Sequence, residues 1–298
     1  MMEPVYQYIN SLAQAGYLPE IFEHTFMIRG MLAACMVGPI LGGMGTMVVA
    51  KKLSFFTQCI GNAAMTGVAL GLIIGEPIAQ TYGGLYGFCL LVALLMTFIK
   101  NRTRMSTDTI IGVILAQTLG LGIIMLVLVT KQFNIHQVES ILFGNLITIN
   151  DQDLYILFFS SIAALAIGLW IFNRSMLVSF NPVMARARGF NPILIDYIFV
   201  VLLTIIVVSS LKLIGALLVL VLIVVPAAGA QNIARGLRSF FWVSVLLSTA
   251  STVLGLLLSG YMPVPTGGTI VLVASFFFYC TLLLRPIFGR SAMQQGEA

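Results

Sequence analysis

Nine runs of about twenty apolar residues, broken by short clusters of basic residues, fill the sequence between residues 26 and 284. A helix of that length matches the hydrocarbon thickness of a bilayer, and a helix satisfies its own backbone groups there. The runs fall near 26–50, 55–75, 79–99, 108–130, 153–172, 193–211, 213–234, 240–261 and 267–284. Of the 298 residues 59% are hydrophobic and 8% charged, against about 25% charged in a soluble domain. The chain therefore reads as an all-α integral membrane protein, a polytopic bundle of about nine spans. The junctions at Gly75–Ile78 and Ser210–Leu213 are tight enough that eight is the alternative count. Residues 1–25 read as an amphipathic lead-in without a cleavable signal peptide, 26–286 as the membrane domain and 287–298 as a tail.

The charges between the runs are sorted. Lys51 and Lys52 follow the first run, Lys100, Arg102 and Arg104 the third, Arg174, Arg186 and Arg188 the fifth, Arg235 and Arg238 the seventh, and Arg285 and Arg290 the last. The other loops hold little beyond Lys131 and Lys212. Because short cytoplasmic loops collect Lys and Arg, this alternation predicts an outer N-terminus and a cytoplasmic C-terminus. The net charge of +5 is thus an orientation signal, and the basic residues form no continuous stripe for nucleic acid. Cys35, Cys59, Cys89 and Cys280 lie inside predicted spans with no CxxC pair and read as packing residues.

Two stretches break the rhythm of span and loop. Residues 138–154, VESILFGNLITINDQDL, are too short and interrupted to cross, and predict a re-entrant or surface helix on the outer side. Residues 173–192, NRSMLVSFNPVMARARGFNP, form the longest cytoplasmic connection. Within it Asn181-Pro182 has the pattern of an N-cap and first turn, Val183 to Arg188 can form a short helix, and Gly189 is placed to end it. Gly67, Gly71 and Gly75 form one row of small residues and Gly38 and Gly42 another, which predicts close helix packing within the chain in preference to a dimer seam. The methionines of the first span drift around the helix and read as filler, not as soft-metal ligands.

The second span carries Gln58, Asn62 and Thr66 at four-residue spacing, which stacks them on one helix face. The span centres are otherwise nearly free of ionisable groups. Asp108 and Asp196 lie near predicted cytoplasmic ends, Arg29 and Glu76 near outer ends. Coupling to protons or sodium normally uses ionisable or cation-liganding groups at the midplane, and this chain offers no obvious one. HExxH, GxSxG and Walker-type GxxxxGK[ST] motifs are missing from the sequence, and its histidines, His24 and His136, fall outside the spans. A channel, a structural subunit, or a non-catalytic transporter powered by another chain remains.

Six segments carry a resemblance to a known family. They are KKLSFFTQCIGNAAMTGVALG after the first span, STDTIIGVILAQ opening the fourth, ILFGNLITINDQDL outside, MARARGF in the cytoplasmic loop, IGALLVLVLIVVPAAGA as the seventh span and PTGGTIVLVASFFF as the ninth. Taken in this order, they resemble the permeases of bacterial ABC importers for zinc, manganese and iron, over about residues 26–286. The resemblance implies half of a type II importer in a bacterial cell membrane, with a second permease copy, cytoplasmic ABC ATPase subunits and an external substrate-binding protein as partners. It implies no cofactor. It also implies that residues 181–190 form the helix that couples to the ATPase, with Ala185, Arg186 and Gly189 at the matching positions.

The same resemblance exposes a departure. Where these metal permeases usually carry an Asp, a His four residues later and then a Pro-Gly, this chain has Gln58, Asn62 and Thr66-Gly67. A carboxylate with an imidazole grips a transition metal through charge and nitrogen; two amides offer neutral carbonyl oxygens and NH2 donors. Three readings of the Gln58, Asn62 and Thr66 face follow. A metal passes a weakly interacting pathway, the cargo is a chelate or other polar solute, or this copy is the degenerate member of a heterodimer. Against a pathway role stands the reading that the amides only bond neighbouring helices, and an alternative of another class is a passive channel or structural subunit in which the polar face conducts or simply packs.

Overall fold

The structure is a computed structural model that describes residues 25–76, 81–103, 105–130, 151–261 and 264–288. The described residues form helices α1 (Thr25–Ala50), α2 (Phe56–Ile74), α3 (Tyr82–Arg102), α4 (Thr107–Thr130), α5 (Asp151–Phe180), α6 (Pro182–Ala187), α7 (Pro192–Ile214), α8 (Ala216–Ile233), α9 (Leu237–Tyr261) and α10 (Thr266–Phe288). Among the described residues, nine of these are long and apolar enough to cross a membrane, and α6 is the short exception. The chain is a multi-pass membrane protein whose regular elements, among the described residues, are all helices. The lead-in up to residue 24, residues 131–150 of the outer segment and the tail from residue 289 lie outside the described residues.

The span positions follow the apolar runs, with two corrections at boundaries. α5 continues to Phe180, so Asn173 and Arg174 lie on a helix and the connection to the next span is shorter than the sequence predicts. Arg174 remains compatible with that helix because its guanidinium stacks on Trp170, 4.1 Å from the ring centre, and faces Phe190 at 5.2 Å. The break between the sixth and seventh spans falls at Gly215 (φ 87°), not at Ser210–Leu213. An apolar run alone does not say where a helix stops; a residue able to take positive φ does. At the other tight junction, Gly75 (φ 96°) closes α2 while the N–H groups of Gly75 and Glu76 donate to the carbonyls of Leu72 and Gly71.

The chain divides into two compact units. One comprises residues 1–46, 145–161 and 221–298, the other residues 47–144 and 162–220. In the first, Gly38 and Gly42 of α1 face α9: a Cβ on Gly42 would come within 2.7 Å of Ser244 and Ser248. Ser244 Oγ donates to the Gly42 carbonyl at 2.6 Å, so the small residues serve packing within the chain. In the second unit α2 lies against α3, α4 and α7, and its glycine row serves the same purpose. A Cβ on Gly67 would sit 2.8 Å from the Gly84 carbonyl. Tyr86 Oη and Ser209 Oγ share a hydrogen bond of 2.8 Å that joins α3 to α7.

Candidate transport and coupling sites

Most hydroxyls buried in the spans are satisfied one turn back along their own helix. Thr97 donates to Ala93, Thr204 to Val200, Ser209 to Ile205 and Ser251 to Leu247, at 2.7–2.8 Å. α2 is different. The hydroxyls of Thr57 and Thr66 and the carbonyl oxygen of Gln58 are buried and have no hydrogen-bond partner. Asn62, between Gln58 and Thr66, is buried as well. An unsatisfied buried polar group costs about 1–3 kcal/mol. Two of them, on Gln58 and Thr66, share one face, an uncompensated penalty for a face whose only task is packing.

α4 covers part of this face without bonding to those atoms. Cys59 Sγ and Thr118 Oγ1 are 4.0 Å apart. Gly122 lies over the next turn, where a Cβ would meet Thr66 Oγ1 at 3.4 Å and the Asn62 carbonyl at 3.6 Å. The Gln58 oxygen therefore does not cross-link helices. Among the described residues no group of three His, Cys, Asp or Glu side chains could hold a metal ion. What the face offers is neutral: amide oxygens, amide NH2 groups and a hydroxyl, suited to hydrogen bonds with water, a polar solute or a hydrated ion.

The second candidate is α6. The Asn181 side chain accepts from the Met184 N–H at 3.0 Å and Pro182 occupies the first turn, as the sequence predicts. Gly189 (φ 80°) ends the turn: its N–H donates to the Arg186 carbonyl at 2.9 Å, and the Phe190 N–H to the Ala185 carbonyl at 3.0 Å. Phe190 then packs with Leu177 on the cluster of Val178, Ala185 and Ile195. Ala185 is thus fully buried and anchors α6 to α5 and α7. Arg186 and Gly189 are exposed.

The sequence reading missed the apolar tip of α6. Val183 is 75% and Met184 49% exposed, with Phe180 exposed just before them. The signal was there: two apolar residues at the start of a short helix in a basic loop, where solvent alone favours polar ones.

A multi-pass helical protein with an uncharged polar face in one span and a short capped helix projecting between two others has the build of a transporter's membrane subunit. This chain belongs to the ABC 3 transport family, whose model matches residues 23–285. It is similar to the manganese import system permease protein ScaB of Streptococcus gordonii, 27% identical over 270 residues that cover 91% of this chain and 95% of that protein. It is similar also to the high-affinity zinc uptake system membrane protein ZnuB of Haemophilus influenzae, 27% identical over 89% of this chain and 99% of that one. Among solved structures, PsaBC from Streptococcus pneumoniae in complex with Fab matches with a TM-score of 0.77 and 28% identity, covering 94% of this chain and 97% of that one.

Proposed function

We propose that this chain is the permease subunit of an ATP-driven importer for a divalent transition metal, manganese, zinc or iron, working by alternating access. Membership of the ABC 3 transport family and similarity to manganese and zinc permeases support that reading. ATP would be hydrolysed in a separate chain, since this sequence lacks a Walker-type motif. An ABC ATPase in the cytoplasm, an external substrate-binding protein and a second permease copy would complete the machine. Similarity to bacterial permeases supports a bacterial cell membrane location, and the basic loops favour the N-terminus outside and the C-terminus in the cytoplasm.

Two sites carry the proposal. Gln58, Asn62 and Thr66 line the cargo pathway, and the observation behind this is the unpaired, buried oxygen of Gln58 with that of Thr66 two turns further along the same face. α6 couples to the ATPase: Val183, Met184 and Arg186 present the contact, Ala185 anchors the helix and Gly189 sets its end. The neutral donor set also favours a second cargo reading, in which a metal chelate or other polar solute is met by hydrogen bonds and metal choice is left to the binding protein.

Uptake of a panel of bare metals and metal chelates into cells tests both, comparing the natural chain with Gln58→Asp plus Asn62→His. If the double change creates strong dependence on zinc or manganese, the face lines the pathway and the native cargo is not gripped as a bare ion. Unchanged uptake and selectivity would remove these residues from the pathway. ATP-independent equilibration of every solute would favour a passive channel.

A further inference from the structure

The acidic residue of α7, Asp196, is held by two lysines from distant parts of the sequence. Lys51 Nζ lies 2.5 Å from Asp196 Oδ1 and Lys100 Nζ 3.3 Å from Asp196 Oδ2. The Lys51 side chain is 4% exposed and lies over the Phe199 ring, 5.3 Å from its centre. Burial pulls the Lys51 pKa below its ordinary value despite the attraction of Asp196. A surface ion pair would be easily lost and easily spared. This one is kept against a desolvation penalty, and removing one partner would leave a buried charge uncompensated.

Its position is what gives it meaning. Asp196 neighbours Ile195, which packs on Ala185 of α6. Asn191, capping α7 through its bond with the Ile193 N–H at 3.1 Å, leaves only a short tight link between α6 and α7. The other arm begins at Lys51, directly after α1, where Lys52 adopts φ 55° and the Leu53 N–H donates to the Val48 carbonyl at 2.9 Å. That closed turn leads into α2, whose first turn carries Gln58. Lys100 adds the end of α3, which packs on α2 through Gly84 and Gly67. One carboxylate therefore joins the helix pair α6–α7 to both ends of the segment that holds the polar face.

Building on the permease reading above, we propose that Lys51, Asp196 and Lys100 act as a positioning clamp that transmits displacement of α6 to the polar face of α2. A packed apolar contact can slide; two ion pairs sharing one carboxylate fix the distance between the three helix ends. The three act on the cargo face through α2 and α3.

The test uses the whole complex, permease with its ATPase and binding protein, reconstituted in vesicles and supplied with manganese(II). Asp196→Asn, which keeps the shape and removes the charge, lowers manganese taken up per ATP hydrolysed by about tenfold, within the usual range of coupling between sites. Lys51→Arg restores the distance and charge and keeps that ratio near the natural value. A fall in uptake and hydrolysis together, with the ratio unchanged, would make the cluster a staple of the fold and overturn the clamp. If Asp196→Asn fails to assemble, Lys100→Met is the readable variant: a several-fold fall in the ratio supports the clamp and an unchanged ratio overturns it.

A second readout does not depend on the cargo. With the native cysteines replaced, Asn62→Cys reports thiol labelling with and without vanadate-trapped nucleotide. The labelling change seen with natural Asp196 disappears with Asp196→Asn, and its persistence would overturn the clamp. Absence of ATP-driven manganese uptake in the natural complex counts instead against the metal-import reading, leaving this labelling comparison to decide the clamp.

Discussion

A Cβ placed on Gly84 would lie 2.5 Å from the carbonyl oxygen of Gly67, so α2 and α3 meet backbone to backbone. Gly84→Ala is expected to lower stability by about 1–3 kcal/mol through overpacking. On the same helix Gly87 has open space around it. Gly87→Ala is expected to be neutral or to raise stability by up to about 1 kcal/mol through helix propensity. Thermal unfolding in detergent, followed by fluorescence-detected size exclusion, compares the two. A similar loss from both would place the close approach elsewhere.

The polar atoms on α2 and α9 predict opposite results. Ser244 Oγ is bonded to Gly42 across helices, so Ser244→Ala should destabilise by about 0.6 kcal/mol, the average for such bonds in membrane proteins. Thr66 Oγ1 has no partner, so Thr66→Val, which keeps the shape, should leave stability equal or raise it by about 1 kcal/mol. Thr66→Val should nevertheless reduce uptake. Stability and uptake falling together would mean that Thr66 is an ordinary packing residue.

On α6 the exposed tip and the buried anchor should fail differently. Val183→Glu and Met184→Glu change residues that touch little of this chain, so stability should hold while the ATPase subunit is lost from co-purification. Ala185→Leu forces extra volume between Val178 and Ile195, and should lower stability by about 1–3 kcal/mol as well as ATPase retention. Pull-down and unfolding measurements on the same samples separate the two. A complex that survives both glutamates would move the contact away from the tip.

Gly189 offers a conformational test. Its φ of 80° suits glycine, and no atom lies within 4 Å of an added Cβ. Gly189→Ala should therefore act through backbone strain alone, at about 1–2 kcal/mol. Gly189→Asn, better tolerated in the left-handed region, should recover most of it. The readouts are ATPase retention and hydrogen exchange of the Phe190 amide, which now donates to Ala185.

Apolar length was enough to find the nine candidate spans among the described residues, because lipid demands the same property of every residue in a crossing. The Asn181, Pro182 and Gly189 pattern gave α6 for a similarly local reason: caps act within a turn. Helix ends such as Phe180 and Gly215 escaped, since apolar length does not fix them. At the site, four-residue spacing put Gln58, Asn62 and Thr66 on one face. Whether they bond a neighbour depends on which atoms α4 brings near, and spacing on α2 carries nothing about that.

What the sequence determined by itself is a helical membrane protein, with nine candidate spans among the described residues, a neutral polar face on the second of them and a capped helix after the fifth. Tertiary structure decided what those parts touch. It turned Ala185 inward and Val183 outward on the same short helix, left the Gln58 and Thr66 oxygens unpaired, and brought Asp196 to lysines 145 and 96 residues away. The physical reason is range. Helix formation, capping and partition into lipid are settled within a turn or a span, whereas hydrogen bonds and ion pairs between helices exist only once the bundle has set which faces meet.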